Sequence, residues 1–424
     1  MNIIGRHNTI KSILPCVVEW INVLATLYLI STLVTSFNHQ RPALYAYFIS
    51  VVLDIIVNRR YANVKWQKTK WTFVAMILFY VCVWIWHIFE QCNSEIFFRT
   101  TDIRLPFLAF GVLGLCFNRN PQIKIRYVAY TMLVTSIVSI VYIVLKRSDI
   151  LFATDMTINM LREVLPQIRQ ELLHVTHIEY NLYLNCTMVM CFICFANCKD
   201  RLNRIIFAIS TLFIYALLLL NEGRIGFITA NILFLLFVVS AIYQYKPKLL
   251  LPAIVIFTIV VVAFVNGHDR LNINYISEDP RGTIWKEAYA IIKEKPIVGH
   301  GVCCGKQLLI ERTTTNSDLN HFWRLWYRLY PNYNKNRFHC HNAFLESAIE
   351  FGLIGIMISI SIFLLPILLA SNRQRLYISL FVLTFAIQAM FESFTSHFQI
   401  LLFCLILYLF IDISQFHSDK QSDY

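Results

Sequence analysis

The sequence predicts an all-α, polytopic integral membrane protein of about twelve spans, with a large helical outer loop between the late ones. Three observations predict it. Hydrophobic residues make up 57% of the 424 and charged ones 15%, and the mean hydropathy is +0.57, far from the balance of a soluble domain. Apolar runs of near bilayer-crossing length recur along the whole chain. Between them, lysines and arginines gather in alternate short loops, the asymmetry that marks cytoplasmic connections.

Taken in order, the apolar runs lie at 16–36, 43–57, 71–89, 103–117, 127–145, 180–196, 205–220, 225–243, 249–265, 343–369, 376–391 and 398–414. With Arg6 and Lys11 inside, the loops 58–70, 118–126, 197–204, 244–248 and 371–375 are cytoplasmic, and all five are short and basic. The alternate loops, including the acidic 90–102, the middle-sized 146–179 and the long 266–341, are mixed or acidic, as translocated segments are. The net charge of +12 is thus mainly a topology signal, so membrane lipids are expected as surroundings and no nucleic-acid partner is expected. The first apolar run is long and lacks a small-residue exit, so no cleavable signal is expected. The organisation read from this pattern is a transmembrane bundle over 1–265, an outer loop over 266–342, and the last three spans with a short cytoplasmic tail over 343–424.

Most of the twelve cysteines fall in or beside spans, where a thiol behaves as a small apolar group. Cys303, Cys304 and Cys340 share the long outer loop, and a disulfide from Cys340 to one of the adjacent pair is left open. The His339-Cys340-His341 cluster lacks the second ligand pair of a structural zinc site, so neither metal nor any other cofactor is expected.

The loop 266–341 is too long for a mere connector. Asp279 and Pro280 signal a helix start, Trp285, Ala288, Tyr289 and Ile292 form one stripe, and Pro296 and Gly299 signal the stop. Arg281 heads that stripe. It either snorkels to headgroups or holds an anion at the interface. Arg224 occupies a tight turn between two spans, flanked by Gly223 and Gly226, at the same expected depth and face. His341 joins them at the start of the span from Asn342 onward. A helix N-terminus and nearby arginines favour the neutral imidazole, which suits a general base; the plainer reading is an interfacial histidine bonded to a carbonyl. His339, two residues earlier, reads as a supporting or binding residue.

Arg281, Trp285, Ala288, Pro296, Gly299 and Gly301, followed after a variable insert by His341-Asn342, Gly352 and Gly355, resemble the O-antigen ligase family of bacterial envelope glycosyltransferases. An arginine in the turn between two preceding spans, here Arg224, extends the resemblance over about 220–356. The resemblance implies an inner-membrane enzyme with its site facing the periplasm, which transfers a polysaccharide from undecaprenyl pyrophosphate to the lipid A core oligosaccharide. It implies that Arg224 and Arg281 bind the pyrophosphate and that His341 activates the acceptor hydroxyl. His339, Asn342, Arg337 and Trp285 are expected to be substrate-binding residues. Chemistry points the same way. A departing pyrophosphate needs its charge neutralised by a divalent metal or by guanidinium groups, and the outer loops offer arginines without a carboxylate cluster suited to magnesium. A metal-independent, inverting transfer is the expectation, the inversion resting on the resemblance.

Other residues are more ambiguous. The stretch 316–342, with Trp323, Arg324, Trp326, Tyr327, Arg328, Tyr330, Tyr333 and Arg337, suits either a phosphorylated sugar or a membrane surface. The segment 160–184, with Arg162, Arg169, His174 and His177, reads as amphipathic, either covering a donor or, more simply, as solvated surface. Asp54 inside a short span is expected to face the bundle or the interface. Glu392 and His397, in the last outer turn, are minor candidates for the same site. A polymerase using the same donor is the near alternative, and a lipid-linked oligosaccharide transporter the distant one, since polar residues crowd one interface and not the midplane.

Overall fold

The computed structural model describes residues 3–35, 37–90, 94–151, 157–221, 223–245, 247–266, 279–329, 338–393 and 397–411, and among these there is no β-strand. In chain order the helices are α1 (Ile3–Thr32), α2 (Phe37–Val57), α3 (Trp71–Ile88), α4 (Ser94–Cys116), α5 (Ile125–Lys146), α6 (Ser148–Leu151), α7 (Ile158–Leu173), α8 (His177–Asn197) and α9 (Arg201–Leu220). They continue with α10 (Arg224–Tyr245), α11 (Leu250–Asn266), α12 (Arg281–Glu294), α13 (Val302–Thr315), α14 (Asn320–Leu329), α15 (Ala343–Leu369), α16 (Asn372–Phe391) and α17 (His397–Phe410). Among the described residues 8 helices are long and apolar enough to cross a membrane, with Arg224–Val239, Leu250–Ile259 and Gln399–Phe410 as shorter apolar ones. Helices are the form such segments must take, because hydrocarbon offers the backbone no other hydrogen-bond partners. Arg337, Tyr330 and Tyr333 lie outside the described residues.

The chain divides into two compact units, each drawn from separate stretches. The first comprises 1–65, 116–268 and 412–424. Its central helix is α8, buried continuously from Tyr180 to Cys194, a helix apolar on every side and therefore surrounded by others. A capping box, Thr176 with Glu179, fixes its start. Asp54 faces inward as expected: it is buried, accepts from Asn58 at 2.6 Å and pairs with Arg60 at 3.1 Å, and Arg60 also pairs with Glu19. The solvated reading of the 160–184 segment is corrected at two residues, because Arg162 and Arg169 are both buried.

The second unit comprises 66–115 and 269–411. One part of it has a core of its own, formed by Ile284, Ala288 and Ile291 of α12, Leu309, Leu319, Trp323, Phe338, Cys340 and Ile349. The buried face of α12 is therefore rotated from the expected stripe, and Tyr289 points outward with the Lys293 ammonium 4.6 Å from its ring centroid. The aromatic stretch also divides. Trp323 is core, donating to Thr313 O at 2.8 Å and packing on Phe338 with centroids 4.8 Å apart, whereas Arg324 and Arg328 are exposed.

α15 is two helices, where hydropathy reads a single run. Gly352 breaks it with φ 62° and ψ −145°, and Ser359 Oγ donates to Ser347 Oγ at 2.9 Å although the residues are 12 apart. A continuous helix would separate them by about 18 Å, so 343–351 folds back along the segment that follows Gly352. The backbone groups freed at the break are taken up by the loop 296–301. His300 N donates to Ile349 O, Gly301 N to Glu350 O and Leu353 N to Pro296 O, each at 2.8 Å. Gly299 and Gly352 both have positive φ, and a Cβ on either would lie 2.4–2.7 Å from backbone atoms of the other segment. The sequence spacing of Pro296, Gly299 and Gly352 is thereby explained as a docking of loop onto broken helix.

No disulfide joins Cys340 to the adjacent pair. Cys340 and Cys304 are free, and Cys303 is disulfide-bonded elsewhere. Cys340 is instead a buried thiol that donates to Asn342 O at 3.1 Å.

Candidate active site

Three side chains of the second unit converge on one buried carboxylate. Glu392 follows the last residue of α16, and its Oε1 and Oε2 lie 3.0 and 3.2 Å from His341 Nδ1. His339 Nε2 is 3.5 Å from Oε1, and Arg281 Nη2 is 3.4 Å from Oε2. Burial by itself would raise the pKa of Glu392, but His341, His339 and Arg281 together bring it down to about 2, so it is a carboxylate at neutral pH. For His339, burial comes first and the positive charges of His341, Lys306 and Arg281 add to it; Glu392 opposes them, and the pKa falls to about 3.

Local backbone aims these groups. His341 holds a left-handed φ of 54°, uncommon outside glycine and typical of residues kept in place by their surroundings. Asn342 caps the next helix, accepting from Phe344 N at 3.0 Å and Leu345 N at 2.9 Å. Its own amide donates to Met390 O at 2.9 Å, and its backbone N–H to Ser393 Oγ at 3.2 Å, so the histidine turn is stapled to the end of α16. Trp285 Nε1 donates to Cys340 O at 2.8 Å, holding the turn from α12. The structure thus gives Asn342 and Trp285 scaffold contacts. Behind the turn, Arg104 of α4 and Glu350 form a buried pair at 2.7 Å that anchors the returning helix.

Hydrogen-bond logic sets the tautomers. The His341 backbone N–H donates to His339 Nδ1 at 3.3 Å, which leaves the proton of neutral His339 on Nε2, facing Glu392. His341 Nδ1, against an ionised carboxylate, carries a proton too, so its Nε2 has the free lone pair. The imidazole is about a quarter exposed and its basic nitrogen is directed away from Glu392. Such a carboxylate–histidine pair holds the ring in orientation and stabilises the imidazolium that forms when Nε2 takes a proton.

His339, His341 and Glu392 also have the composition of a two-histidine, one-carboxylate metal site, their ligand atoms lying within 4.8 Å of one another. A metal bound there would displace the His339 Nε2 proton and compete with Arg281 for Glu392.

The structure brings together Arg281, His339, His341, Asn342 and Trp285. Arg224 stands in the first unit, where it opens α10. Glu392 and Ser393 are the residues whose weight sequence reasoning missed; a carboxylate directly beyond an apolar run is the signal that marks Glu392, and its partner lies 51 residues away.

A polytopic helical membrane protein with an ionisable cluster at the end of its helices is the class these features define. Residues 208–360 match the O-antigen ligase family model, a stretch that includes Arg224, Arg281 and His341-Asn342. No curated protein matches the chain.

Proposed function

We propose that this protein is an O-antigen ligase acting in lipopolysaccharide biosynthesis, transferring a polysaccharide from undecaprenyl pyrophosphate to the lipid A core oligosaccharide on the periplasmic face of the bacterial inner membrane. The observation that carries this reading is His341 held by Glu392 with Arg281 on the same carboxylate. The match over 208–360 supports glycan transfer of the ligase and polymerase type in general. The disulfide at Cys303 supports an oxidising compartment for the outer loop.

In the proposed reaction His341 Nε2 takes the proton of the acceptor hydroxyl while its oxygen attacks the anomeric carbon. The bond from that carbon to the pyrophosphate oxygen breaks, and the pyrophosphate leaves with the electron pair. Arg281, and by the resemblance Arg224, meet the charge it gains. Glu392 stabilises the imidazolium, and attack opposite the leaving group inverts the anomeric centre. No metal has a role in this scheme. His339 and Arg337 are proposed to bind the glycan partners, Arg337 as an arginine able to pair with a phosphorylated sugar.

Purified protein in detergent, given undecaprenyl pyrophosphate-linked glycan and lipid A core with EDTA present, tests the reading. Transfer to the core by wild type, lost in Arg281→Ala and His341→Ala, is expected. Lengthening of the donor with the core ignored would replace the ligase by a polymerase, and no transfer with or without added metal would return the transporter.

A further inference from the structure

Arg169 of α7 is 1% exposed, in a helix whose pattern places it at the outer surface. A guanidinium stays out of water only where its surroundings compensate the lost hydration. Here Nη1 donates to Asn221 Oδ1 at 2.6 Å, and the guanidinium carbon lies 4.6 Å from the centroid of the Tyr180 ring. Tyr180 is itself fixed by a 2.7 Å hydrogen bond between its hydroxyl and Ser139 Oγ.

Asn221 is the residue that ends α9, buried and with extended backbone; Arg224 opens α10 three residues later. Gly223 and the first turn of α10 pack closely on α8. Gly223 holds φ 120°, a Cβ at Gly226 would lie 2.6 Å from Asn181 Nδ2, and Asn185 Nδ2 donates to Gly226 O at 3.3 Å. α8 thus packs the turn from one side through Asn181 and Asn185, and α7 grips its leading residue through Arg169.

We propose that Arg169 is a positioning residue for Arg224: through Asn221 it fixes the turn that presents Arg224 to the donor, which makes the amphipathic helix α7 a clamp on that turn. The inference rests on the reading of Arg224 as a donor-phosphate residue. Arginine suits the task because one planar group gives an in-plane N–H bond to Asn221 and a face to Tyr180; a lysine ammonium supplies charge without that geometry.

The test measures kcat and the KM for donor and acceptor separately in wild type, Arg169→Lys, Arg169→Met, Asn221→Ala, Asn221→Asp, Arg224→Ala and the Arg169→Met/Arg224→Ala double variant. Arg169→Met and Asn221→Ala are expected to raise the donor KM about tenfold or more, leaving the acceptor KM in place, because a displacement of the order of 1 Å at a binding group has effects of that size. Arg169→Lys is expected to follow Arg169→Met, and Asn221→Asp to retain wild-type constants, since a carboxylate keeps the bond to Arg169. In the double variant, Arg169→Met is expected to add less than about twofold to Arg224→Ala, since two residues acting through one group do not add. Wild-type constants in Asn221→Ala with Arg224→Ala impaired would overturn the positioning role. So would a full multiplication of defects in the double variant, or an equal rise in both KM values. Wild-type activity in Arg224→Ala would overturn the reading of Arg224 itself. If Arg169→Met does not fold, the Asn221 pair carries the test.

Discussion

Glu392 gives the imidazole of His341 an orientation, and the proposed reaction places its proton transfer on that pairing. His341→Gln is expected to lower transfer by about 10²–10⁴-fold in protein that still folds, the range of a lost general base. Glu392 and His339 also tie the fold to pH. His339 has a folded pKa of about 3 against 6.5 for the free group, so between these values the unfolded chain holds the extra proton and stability falls as pH drops. Glu392, at about 2 against 4.5, contributes stability above pH 4.5 that is lost as pH falls toward 2. Both act in the same direction. His339→Gln is expected to make the unfolding temperature of the detergent-solubilised protein fall less than that of wild type between pH 6.5 and 4.5; parallel curves for the two would contradict it. At this scale Arg281 and His341 were readable because each heads a recognisable helix. Glu392 was visible only as a minor candidate, since nothing in a linear sequence joins it to a histidine 51 residues away.

Among the elements, the broken α15 is the least readable and the most consequential. Its apolar run is uniform, and hydropathy measures composition without direction, so residues 343–351 look like the top of a span although they return along it. The glycines were visible, and their meaning was not. Gly352→Ala is expected to destabilise the protein by at least about 1–3 kcal/mol, from the left-handed backbone alone and before the clash with Ile297, and to reduce activity by displacing His341. Thermal unfolding and transfer rate check this together, and an alanine variant as stable as wild type would remove the docked loop from the explanation. The helix over 281–294 follows from its start and stop residues, but its buried face does not, because its stripe packs against a small local core whose position no periodicity reveals. In the aromatic stretch the same limit applies: Trp323 reads as a sugar platform until Phe338 is found beside it.

At the scale of the molecule, the all-helical class followed directly from composition, and alternation of basic loops set an expected orientation. Single cysteines placed in a cysteine-free background at Lys124 and at Lys293 are expected to react with a membrane-impermeant thiol reagent only from the cytoplasmic and periplasmic sides, respectively; the reverse would invert the site. The grouping into two discontinuous units was not readable, since stretches far apart in sequence assemble each of them. The measurement that matters most is the pH dependence of kcat/KM for transfer by wild type and Glu392→Gln in the same reconstituted system. A carboxylate that holds and supports the base predicts an acid limb in wild type and a loss of about 10²-fold or more in Glu392→Gln across the plateau. A Glu392→Gln enzyme with wild-type rates and an unchanged profile would contradict it, and would leave His341 as a binding group.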